Sequence, residues 1–357
     1  MLAVASYATL AALGDEARYL NLAWTLDERA YLSVDVAALI ARELALEIEE
    51  GLPFLNSYFV RDPFGEEVLG EPVRRYFAND SLRITVGAGV DSLLHAMGPL
   101  AAGKRVYVAG DVYPDGPHWF ERFGARCLST HDAADSQIHL ANARALDASV
   151  VLMDRPALLG KTVSLEQLGE LCEGMHRVGA RVIVDESYAN YFPTSFSAVH
   201  LLPRMSNLLV LRGFSKAYWL GGLRLGYCVC APALVDELRA WVPPLLGASV
   251  SLRIARAVLE AGDIARPLRE RIAEAQKESR RVLQEFSLGS PLEACMSIPY
   301  LFFAADDRAL QERLLAAGIL GKLQPLWRQH ARRCETVFRL SVPLKAERAA
   351  ALRQRLT

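Results

Sequence analysis

Short apolar runs alternate with amphipathic stretches through the middle of the chain. The runs are rich in Val, Ile and Leu, and each is long enough for a strand but too short for a helix. Strands that are apolar on both faces occur in sheets covered on both sides, so the pattern predicts an α/β fold with a mostly parallel seven-stranded sheet. The expected strands are Leu82 to Val86, Arg105 to Ala109, Ala125 to Ser129, Ser149 to Met153, Arg181 to Asp185, Asn207 to Leu211 and Leu225 to Cys230.

Helical periodicity fills several of the segments around these strands. The clearest helix start is at Ser164, because Ser164 and Gln167 have the spacing of a capping box. The expected helices are Val34 to Glu50, Asp91 to Leu100, Pro117 to Phe123 and Ser164 to Val178.

After Ala231 the pattern changes to long helical stretches followed by isolated strands. The expected elements are helices at Ala233 to Trp241 and Ser251 to Phe286, a strand at Ser297 to Ala304, a helix at Asp307 to Ala317, a strand at Val337 to Val342 and a helix from Lys345. This order predicts a small α+β domain after a large α/β domain. We expect residues 1–40 to form an N-terminal arm and part of the small domain, residues 41–245 the large domain, and residues 246–357 the small domain.

Composition adds bounds on the class of protein. The chain has 357 residues, a formal net charge of −1, 52% hydrophobic residues and 23% charged residues, which is typical of a globular protein without a nucleic-acid or membrane partner. The apolar N-terminus has no basic residue before Asp15, so we expect it to pack on the protein as a helix or arm. Six scattered cysteines indicate reduced thiols in a cytoplasmic protein, and the seven histidines show no paired spacing typical of metal ligands.

Lys216 is the most informative residue for function. It follows the predicted strand Asn207 to Leu211, with the hydroxyl of Ser215 directly before it and Arg224 eight residues later. A lysine with these neighbours suits a Schiff base to an aldehyde cofactor that carries a phosphate. A lone lysine is usually a solvated surface charge, so the interpretation depends on the residues that accompany it.

Two of these residues are Asp185, which ends the predicted strand Arg181 to Asp185, and Tyr188, which follows it. The C-terminal edge of an α/β sheet is where ligands bind, and a buried carboxylate there would hold the pyridine nitrogen of such a cofactor protonated. Tyr188 comes three residues later, where its hydroxyl would bond the phenolic oxygen of the cofactor. Taken alone, an acidic pair after a strand is also a common helix cap.

A possible phosphate site lies in the segment Thr85 to Ser92, which predicts a strand, a glycine-rich turn and a helix N-terminus. Gly89 would let the backbone approach the phosphate, and Val90 and Asp91 would donate their amide hydrogens. Arg224 would pair with the same phosphate through its planar guanidinium. A glycine turn or an arginine alone is more often structural, but all of these features in this order favour a cofactor site.

The segment Arg212 to Gly226, which reads Arg-Gly-Phe-Ser-Lys-Ala-Tyr-Trp-Leu-Gly-Gly-Leu-Arg-Leu-Gly, carries a resemblance to a known family. It resembles the motif R-S/T-x-S-K-x-Y/F-x-L/M-A/P-G-x-R-x-G of the fold-type I aminotransferases of class I/II, and within them of the histidinol-phosphate aminotransferase branch. The resemblance implies a pyridoxal 5'-phosphate enzyme in which Lys216 forms the Schiff base with the cofactor and moves the substrate α-proton. It also implies that Asp185 pairs with the pyridine nitrogen and that Tyr188 bonds the phenolic oxygen. Ser215 and Arg224 would bind the phosphate.

The resemblance extends to residues outside this segment. Tyr113 falls where the family places an aromatic ring on the cofactor, although a core tyrosine is nearly as good an account of Tyr113 taken alone. Tyr58 resembles the tyrosine that reaches the phosphate of the neighbouring subunit, which implies a homodimer with shared active sites. Arg339 matches the arginine that binds the substrate α-carboxylate, and an arginine in an apolar strand needs a partner in any case. Trp24 and Asp27 fall in a region that commonly lines the substrate pocket.

Two positions depart from the family pattern. After the fourth strand the family reads N-P-x-N-P-T-G, with an asparagine on the phenolic oxygen, whereas Asp154 to Gly160 places Ala157 at that position. Position 213 is a glycine rather than a phosphate-binding hydroxyl. Such changes around the cofactor influence which bond at the substrate α-carbon breaks.

The expected reaction is transamination between an L-amino acid and a 2-oxo acid. The alternative is a pyridoxal-phosphate-dependent cyclase, lyase, oxidase or decarboxylase of a specialised biosynthetic pathway, acting for example on an arginine-like amino acid. A metal enzyme is disfavoured by the histidine spacing. A non-catalytic protein of the same fold has no physical need for five residues, namely Lys216, Asp185, Tyr188, Arg224 and Arg339.

Overall fold

The computed structural model describes residues 18–56, 62–130, 135–159, 162–327 and 335–357. The expected N-terminal arm before residue 18, Tyr58 and Cys334 lie outside the described residues. Within these ranges, twelve strands form three sheets. In chain order the strands are Leu20–Asn21 (β1), Arg83–Gly87 (β2), Arg105–Ala109 (β3), Arg126–Thr130 (β4), Val150–Asp154 (β5), Arg181–Asp185 (β6), Leu208–Gly213 (β7), Gly226–Cys230 (β8), Tyr300–Ala304 (β9), Ile319–Leu320 (β10), Lys322–Leu326 (β11) and Glu335–Ser341 (β12).

The largest sheet has seven strands in the order β2-β8-β7-β6-β5-β3-β4. The neighbours from β4 to β7 pair in parallel, whereas β8 is antiparallel to both β7 and β2. Side chains pack on both faces, since Ile183 belongs to one buried cluster and its neighbours Val182 and Val184 belong to another. The prediction of a mostly parallel seven-stranded sheet is confirmed, because the sequence places all seven strands within about two residues of their bounds.

The helices lie largely where the helical spacing predicts them. The predicted capping box is confirmed, because Gln167 N donates to Ser164 Oγ and Ser164 N donates to Gln167 Oε1, both at 3.1 Å. The described helices are Val36–Glu49, Pro53–Asn56, Glu66–Phe77, Val90–Met97, Asp115–Arg122, Ser136–Ala145, Leu165–His176, Pro232–Arg239, Ser249–Glu260, Arg266–Glu285, Arg308–Ala316 and Ala346–Leu356.

The prediction of one helix from Ser251 to Phe286 is wrong. Two helices occupy this stretch, Ser249–Glu260 and Arg266–Glu285. Gly262 follows the first helix with a φ of +76°, and Pro267 lies in the first turn of the second helix. A left-handed glycine ends a helix, and proline fits the first turn of a new one, so these two residues explain the break.

The helix Glu66–Phe77 is not predicted by the sequence pattern. Gly70 and Pro72 lie inside it, and both residue types lower helix propensity. Its apolar side chains are buried, including Leu69 and Val73. Packing on the core therefore outweighs the weak local preference.

The small sheet is antiparallel, with the order β11-β12-β9. The predicted strands Ser297 to Ala304 and Val337 to Val342 are confirmed as β9 and β12. Strand β11 is not predicted, because Lys322, Gln324 and Pro325 are untypical of an apolar strand. This omission affects the site, since β11 contributes two side chains to it.

The chain after residue 18 runs along both the small sheet and the loop that follows β7. Strand β1 pairs in parallel with β10, and Ser341 N donates to Leu22 O at 2.7 Å. Further along, Trp219 Nε1 donates to Thr25 O at 3.0 Å. This course agrees with an N-terminal segment that belongs partly to the small domain, and the domain boundaries at residues 40 and 245 stay a prediction.

Candidate active site

A cavity of about 420 Å³ opens at the C-terminal ends of the parallel strands β5, β6 and β7. Ligands of open α/β sheets bind at this edge. The small sheet contributes the opposite side of the cavity through β11 and β12. All predicted site residues that the structure describes, except Asp27, line this cavity, namely Trp24, Gly89, Val90, Asp91, Tyr113, Asp185, Tyr188, Ser215, Lys216, Arg224 and Arg339.

Lys216 lies in the loop that follows β7. In this loop Ala217, Trp219 and Arg224 have φ angles of +64°, +55° and +47°. Residues with a Cβ rarely adopt this left-handed conformation, and such strain concentrates at functional sites. The Lys216 Nζ lies 5.5 Å from the ring centroid of Tyr188, so the amine is close to one of the predicted cofactor residues.

Glycines shape one end of the cavity. Gly89 has a φ of +89° and directly precedes the helix Val90–Met97. A Cβ on Gly89 would lie 3.1 Å from Arg224 Nη2, and a Cβ on Gly226 would lie 2.6 Å from a backbone nitrogen at the helix start. Glycine at both positions therefore lets the guanidinium and the first helical amides approach the same space. The positive helix end and the guanidinium together suit an anion such as a phosphate.

The side chain of Asp91 has a different role from its amide. Its Oδ1 accepts a hydrogen bond from Trp119 Nε1 at 2.6 Å. The carboxylate is thereby held by a ring on the helix Asp115–Arg122. The predicted phosphate contact of Asp91 is consequently that of its backbone N–H alone.

Two carboxyl groups lie side by side on the sheet side of the cavity. Asp185 is the last residue of β6, and its Oδ1 accepts from Ser187 N at 2.7 Å. Asp154 is the last residue of β5, and its Oδ2 accepts from Tyr113 N at 2.8 Å. Burial raises the pKa of Asp185, and burial followed by the charge of Asp185 raises the pKa of Asp154 well above its usual range. The sequence reasoning missed Asp154, although it has the same signal as Asp185, an acid at the end of a strand.

Tyr113 and Tyr188 bring two aromatic rings to the cavity. Tyr113 is 41% exposed, so it is not a core tyrosine and its ring is accessible to a ligand. Burial raises the pKa of Tyr188, and the charge of Arg339 opposes that rise. At neutral pH the Tyr188 hydroxyl is therefore protonated and is able to donate a hydrogen bond.

Arg339 is buried on β12 and lines the cavity. Its Nη1 donates to Gln324 Oε1 at 3.1 Å, and its Nη2 donates to Ala23 O at 2.7 Å. The buried Nε has no hydrogen-bond partner in the described part of the chain. The guanidinium therefore retains capacity for an anionic ligand, as the carboxylate assignment requires.

Lys322 is a second cation at this side of the cavity, and the sequence reasoning missed it. It lies directly opposite Arg339 in the antiparallel pair of β11 and β12, and its Nζ is 6.0 Å from the ring centroid of Trp24. Burial lowers the pKa of Lys322 to about 8, with smaller contributions from Arg339 and Lys216. No local motif marks this residue, since only the pairing of the strands brings it beside Arg339.

The positions that depart from the family pattern have different surroundings. Gly213 lines the cavity, and a Cβ there would lie 3.3 Å from Val90 Cγ2. A side chain at position 213 would thus crowd the start of the helix Val90–Met97. Ala157 is outside the group of residues that line the cavity in the described structure, and its N donates to Thr162 Oγ1 at 3.1 Å.

Asp27, the second candidate for the substrate pocket, is not brought to the cavity in the described structure. It is buried instead, and its Oδ2 forms an ion pair with Arg348 Nε at 3.1 Å. The described residues contain no cluster of His, Cys, Asp and Glu side chains that would hold a metal ion. Among the helices described here, none has both the length and the apolar composition to cross a membrane.

The residues around the cavity fit pyridoxal phosphate. The glycine-lined helix start and Arg224 form a positive end that suits the phosphate, and a side chain on Gly89 would intrude on that end. Asp185 supplies a buried carboxylate for a protonated ring nitrogen, and Lys216 supplies the amine that a Schiff base requires.

Comparison with known sequences identifies the family. Residues 65–347 match the family model described as "Aminotransferase class I and II". A histidinol-phosphate aminotransferase of Frankia casuarinae is 33% identical over 190 residues, which cover 49% of this chain and 47% of the relative. An aromatic amino acid aminotransferase of Cutibacterium acnes is 26% identical over 314 residues, 84% of each chain. The chain thus spans about half of the first relative and most of the second.

Solved structures show the same fold. A protein of Escherichia coli with a methionine aminotransferase function aligns with a TM-score of 0.74 and 18% identity, over 98% of this chain and 95% of that chain. A histidinol-phosphate aminotransferase of Sinorhizobium meliloti in complex with pyridoxal 5'-phosphate aligns with a TM-score of 0.70 and 20% identity, over 89% of this chain and 87% of that chain. These likenesses confirm the predicted fold-type I architecture. The family model extends over most of the chain and its members depend on pyridoxal phosphate, which confirms the predicted cofactor, and the chain belongs to the aminotransferase class I and II family.

Proposed function

We propose that the protein transfers the amino group of an L-amino acid to a 2-oxo acid. The observation that carries the proposal is the presence in one cavity of Lys216, the anion-binding helix start and Arg339. Bound pyridoxal phosphate supplies an electron sink for the bonds at the substrate α-carbon. The remaining steps fall to side chains of this chain.

Arg339 binds the α-carboxylate of the substrate and fixes the orientation of the α-carbon. Its Nη atoms are held by Gln324 and by Ala23 O, so the guanidinium has a set orientation before the substrate arrives. Lys216 then takes the α-proton on its Nζ and returns it on the cofactor side, as a general base and acid. These two cations do the substrate binding and the proton transfer.

The cofactor is held by groups from the large sheet. Val90 N, Asp91 N, Ser215 Oγ and Arg224 bind the phosphate, since they line the positive end of the cavity. Asp185 would keep the ring nitrogen protonated, Tyr188 would donate to the phenolic oxygen, and the exposed ring of Tyr113 would lie against the cofactor.

The second cation, Lys322, favours an amino acid whose side chain carries a negative group. Lys322 and Arg339 are directly opposite in the strand pair. Two neighbouring cations suit a substrate with two anionic groups better than a substrate with one. Lys322 therefore selects for the distal anion, and Arg339 binds the group next to the amine.

The test is transamination with a matched panel of amino acids. The purified holoenzyme is incubated with pyruvate and with glutamate, aspartate, or their counterparts with neutral side chains, glutamine and asparagine, and the alanine formed is measured. Transfer that is faster with anionic than with neutral donors and absent in Lys216→Ala supports the proposal. Release of ammonia or carbon dioxide without a new amino acid would overturn it in favour of a lyase or decarboxylase.

We also propose a homodimer in the cytoplasm, with Tyr58 reaching the phosphate of the partner subunit. Several large apolar side chains are exposed on the single chain, which suits an interface. They include Leu44, Ile48, Leu55, Trp241 and Leu245. The five described cysteines are unpaired, which suits a reducing compartment. Light scattering should give twice the single-chain mass of 39.3 kDa, and a monomer with full activity would contradict the dimer.

A further inference from the structure

Asp154 and Asp185 bring two neighbouring carboxyl groups to the cavity, and transamination by itself does not require the second one, Asp154. The two residues are paired in register at the ends of the parallel strands β5 and β6. Residues paired in this way project their side chains to the same face of a sheet. Both line the cavity, where Asp185 is buried and Asp154 is partly exposed to the cavity space.

No cation neutralises this pair within the described residues. Asp154 and Asp185 form no ion pair with a described lysine or arginine, and each accepts one backbone N–H, from Tyr113 and Ser187. The ionisable groups that act on the pair or line the cavity beside it are Asp111 after β3, Asp115 at the start of the helix Asp115–Arg122, Glu186 and Tyr188 after β6, and Lys216 after β7. Because two adjacent buried carboxyls cannot both stay ionised at low cost, one of them holds a proton.

The hydrogen bonds indicate which carboxyl holds the proton. Bonds from Ser187 favour the ionised form of Asp185 and oppose the rise that burial causes in its pKa. Asp154 accepts a single backbone bond, while burial, Asp185 and Asp111 all raise its pKa. The proton therefore stays on Asp154, with Asp185 carrying the negative charge.

We propose that Asp154 is a neutral carboxylic acid whose hydroxyl donates a hydrogen bond into the cofactor cavity, while Asp185 beside it stays ionised. Asp154 Oδ2 accepts from Tyr113 N, so the other oxygen is the one that carries the proton. The acceptor is an oxygen at the edge of the bound pyridoxal ring, and this part alone rests on the proposed function. Asp154 thus supplies a donor that Ala157, which does not line the cavity in the described structure, lacks.

The first test uses the cofactor-free full-length protein. An infrared difference spectrum of wild type against Asp154→Asn at neutral pH should show the C=O band of a protonated carboxylic acid in wild type only. The subtraction removes the contribution of Glu28, a buried carboxyl whose pKa is also raised. In Asp185→Asn the band of Asp154 should weaken at high pH first, since burial still raises its pKa but the neighbouring charge that adds to this effect is gone. A spectrum with no protonated band from Asp154 would overturn the inference.

The second test measures the affinity for pyridoxal phosphate in a Lys216→Ala background, so that covalent attachment to the lysine does not contribute. Asp154→Asn, which keeps the shape and a donor, should bind the cofactor like Asp154 at neutral pH, and Asp154→Ala should bind about tenfold more weakly. As the pH rises the Asp154 protein should lose affinity and the Asp154→Asn protein should not. The same pH dependence in both proteins would contradict the proposal.

The two proposals fail in different ways. If the protein binds pyridoxal phosphate but transfers no amino group, the proposed function fails and the infrared result for Asp154 stands. If it transaminates and Asp154→Asn matches wild type in infrared spectrum and at every pH, only the role of Asp154 fails. Asp154→Asn is nearly isosteric, so it decides the matter even if Asp154→Ala does not fold.

Discussion

Gly89 illustrates how a single residue without a side chain shapes an anion site. Its φ is +89°, and a Cβ at this position would lie 3.1 Å from Arg224 Nη2. Any other residue type would therefore strain the backbone and crowd the guanidinium. The same position brings the first amides of the helix Val90–Met97 to the cavity. Phosphate binding at this end of the cavity consequently depends on the missing side chain of Gly89 as well as on the charge of Arg224.

Gly89→Ala should weaken the binding of pyridoxal phosphate. The methyl group meets Arg224 Nη2, and the backbone at φ +89° and ψ 167° strains alanine by about 1–3 kcal/mol, so we expect the Kd in equilibrium dialysis to rise about tenfold. Gly103→Ala is the matched control, because Gly103 has a φ of +68° and nothing within 4 Å of a Cβ. The control should lose similar stability and keep its cofactor affinity. Equal affinity in the two variants would argue against the phosphate assignment.

Lys322 should make the preference for a substrate with an anionic side chain depend on pH. Its pKa is lowered to about 8, so the side chain is charged below that pH and becomes neutral above it. A glutamate side chain stays ionised across this range, so the ratio of kcat/KM for glutamate over glutamine should fall as the pH rises through about 8. The ratio cancels any effect of pH that is common to both substrates.

Two substitutions separate the charge of Lys322 from its bulk. Lys322→Arg stays protonated, so its ratio should remain high above pH 8. Lys322→Met should give a ratio lowered about tenfold at neutral pH and independent of pH. An unchanged ratio in Lys322→Met would remove Lys322 from substrate selection.

At the scale of elements, a buried polar network supports the turn after β7. Glu186 is fully buried and accepts from Arg212 Nη1 at 2.6 Å, with Arg155 Nη1 3.6 Å from its other oxygen. Arg212 Nη2 also donates to Asn190 Oδ1, and Asn190 Nδ2 donates to Gly213 O at 2.8 Å. The network therefore joins β7 to the turn after β6 immediately before the loop that carries the lysine.

Glu186→Gln should destabilise the fold strongly. It would leave Arg212 and Arg155 as buried cations without their carboxylate, and the free energy of unfolding should fall by about 3 kcal/mol in urea denaturation. Glu237→Gln is the control, since its pair with Arg181 is 2.8 Å long but half-buried, and it should cost less than about 1 kcal/mol. A similar loss in both variants would show that burial does not set the strength of this network.

The elements that the sequence predicted are those whose signal is local. The strands of the large sheet read as apolar runs because helices cover both faces, and they were placed within about two residues. Strand β1 has only two residues and exists through its pairing with β10, and β11 exists through its pairing with β12. Strands of this kind depend on a distant partner, so a pattern along the chain does not show them.

The candidate site divides in the same way. Lys216 and Arg224 lie in one motif, and Gly89 and Asp185 each follow a predicted strand, so local patterns were sufficient to place them in the site. Asp154 and Lys322 gain their character from the residues opposite them, Asp185 and Arg339. Their pKa shifts arise from burial and from those neighbours, which the order of the sequence does not contain.

At the scale of the whole molecule, one segment near the N-terminus joins the small sheet to the loop that carries the lysine. Strand β1 pairs with β10, Ala23 O accepts from Arg339 Nη2, and Thr25 O accepts from Trp219 Nε1. Trp24, between these two contacts, lines the cavity. The position of this segment therefore affects how the substrate arginine is held.

Arg348 holds that segment from the last helix, Ala346–Leu356. Its Nη2 donates to Asn21 O at 2.6 Å, and its Nε pairs with Asp27, whose side chain is only 7% exposed. Arg348→Met removes both contacts and leaves the carboxylate of Asp27 buried without a cation. We expect a free energy of unfolding lower by about 2 kcal/mol, together with a higher KM for the amino acid.

Cofactor affinity distinguishes this effect from a general loss of structure. The phosphate end lies on the large sheet and Arg348 does not reach it, so the Kd for pyridoxal phosphate should stay unchanged in Arg348→Met while the KM rises. Arg353→Met is the control on the same helix, because its pair with Glu285 is exposed and should cost less than about 1 kcal/mol with no change in KM. A KM that stays constant in Arg348→Met while stability falls would mean that the segment supports the fold without positioning Arg339. A rise in KM would instead show that a helix at the end of the chain sets the geometry of the substrate site through the segment it holds.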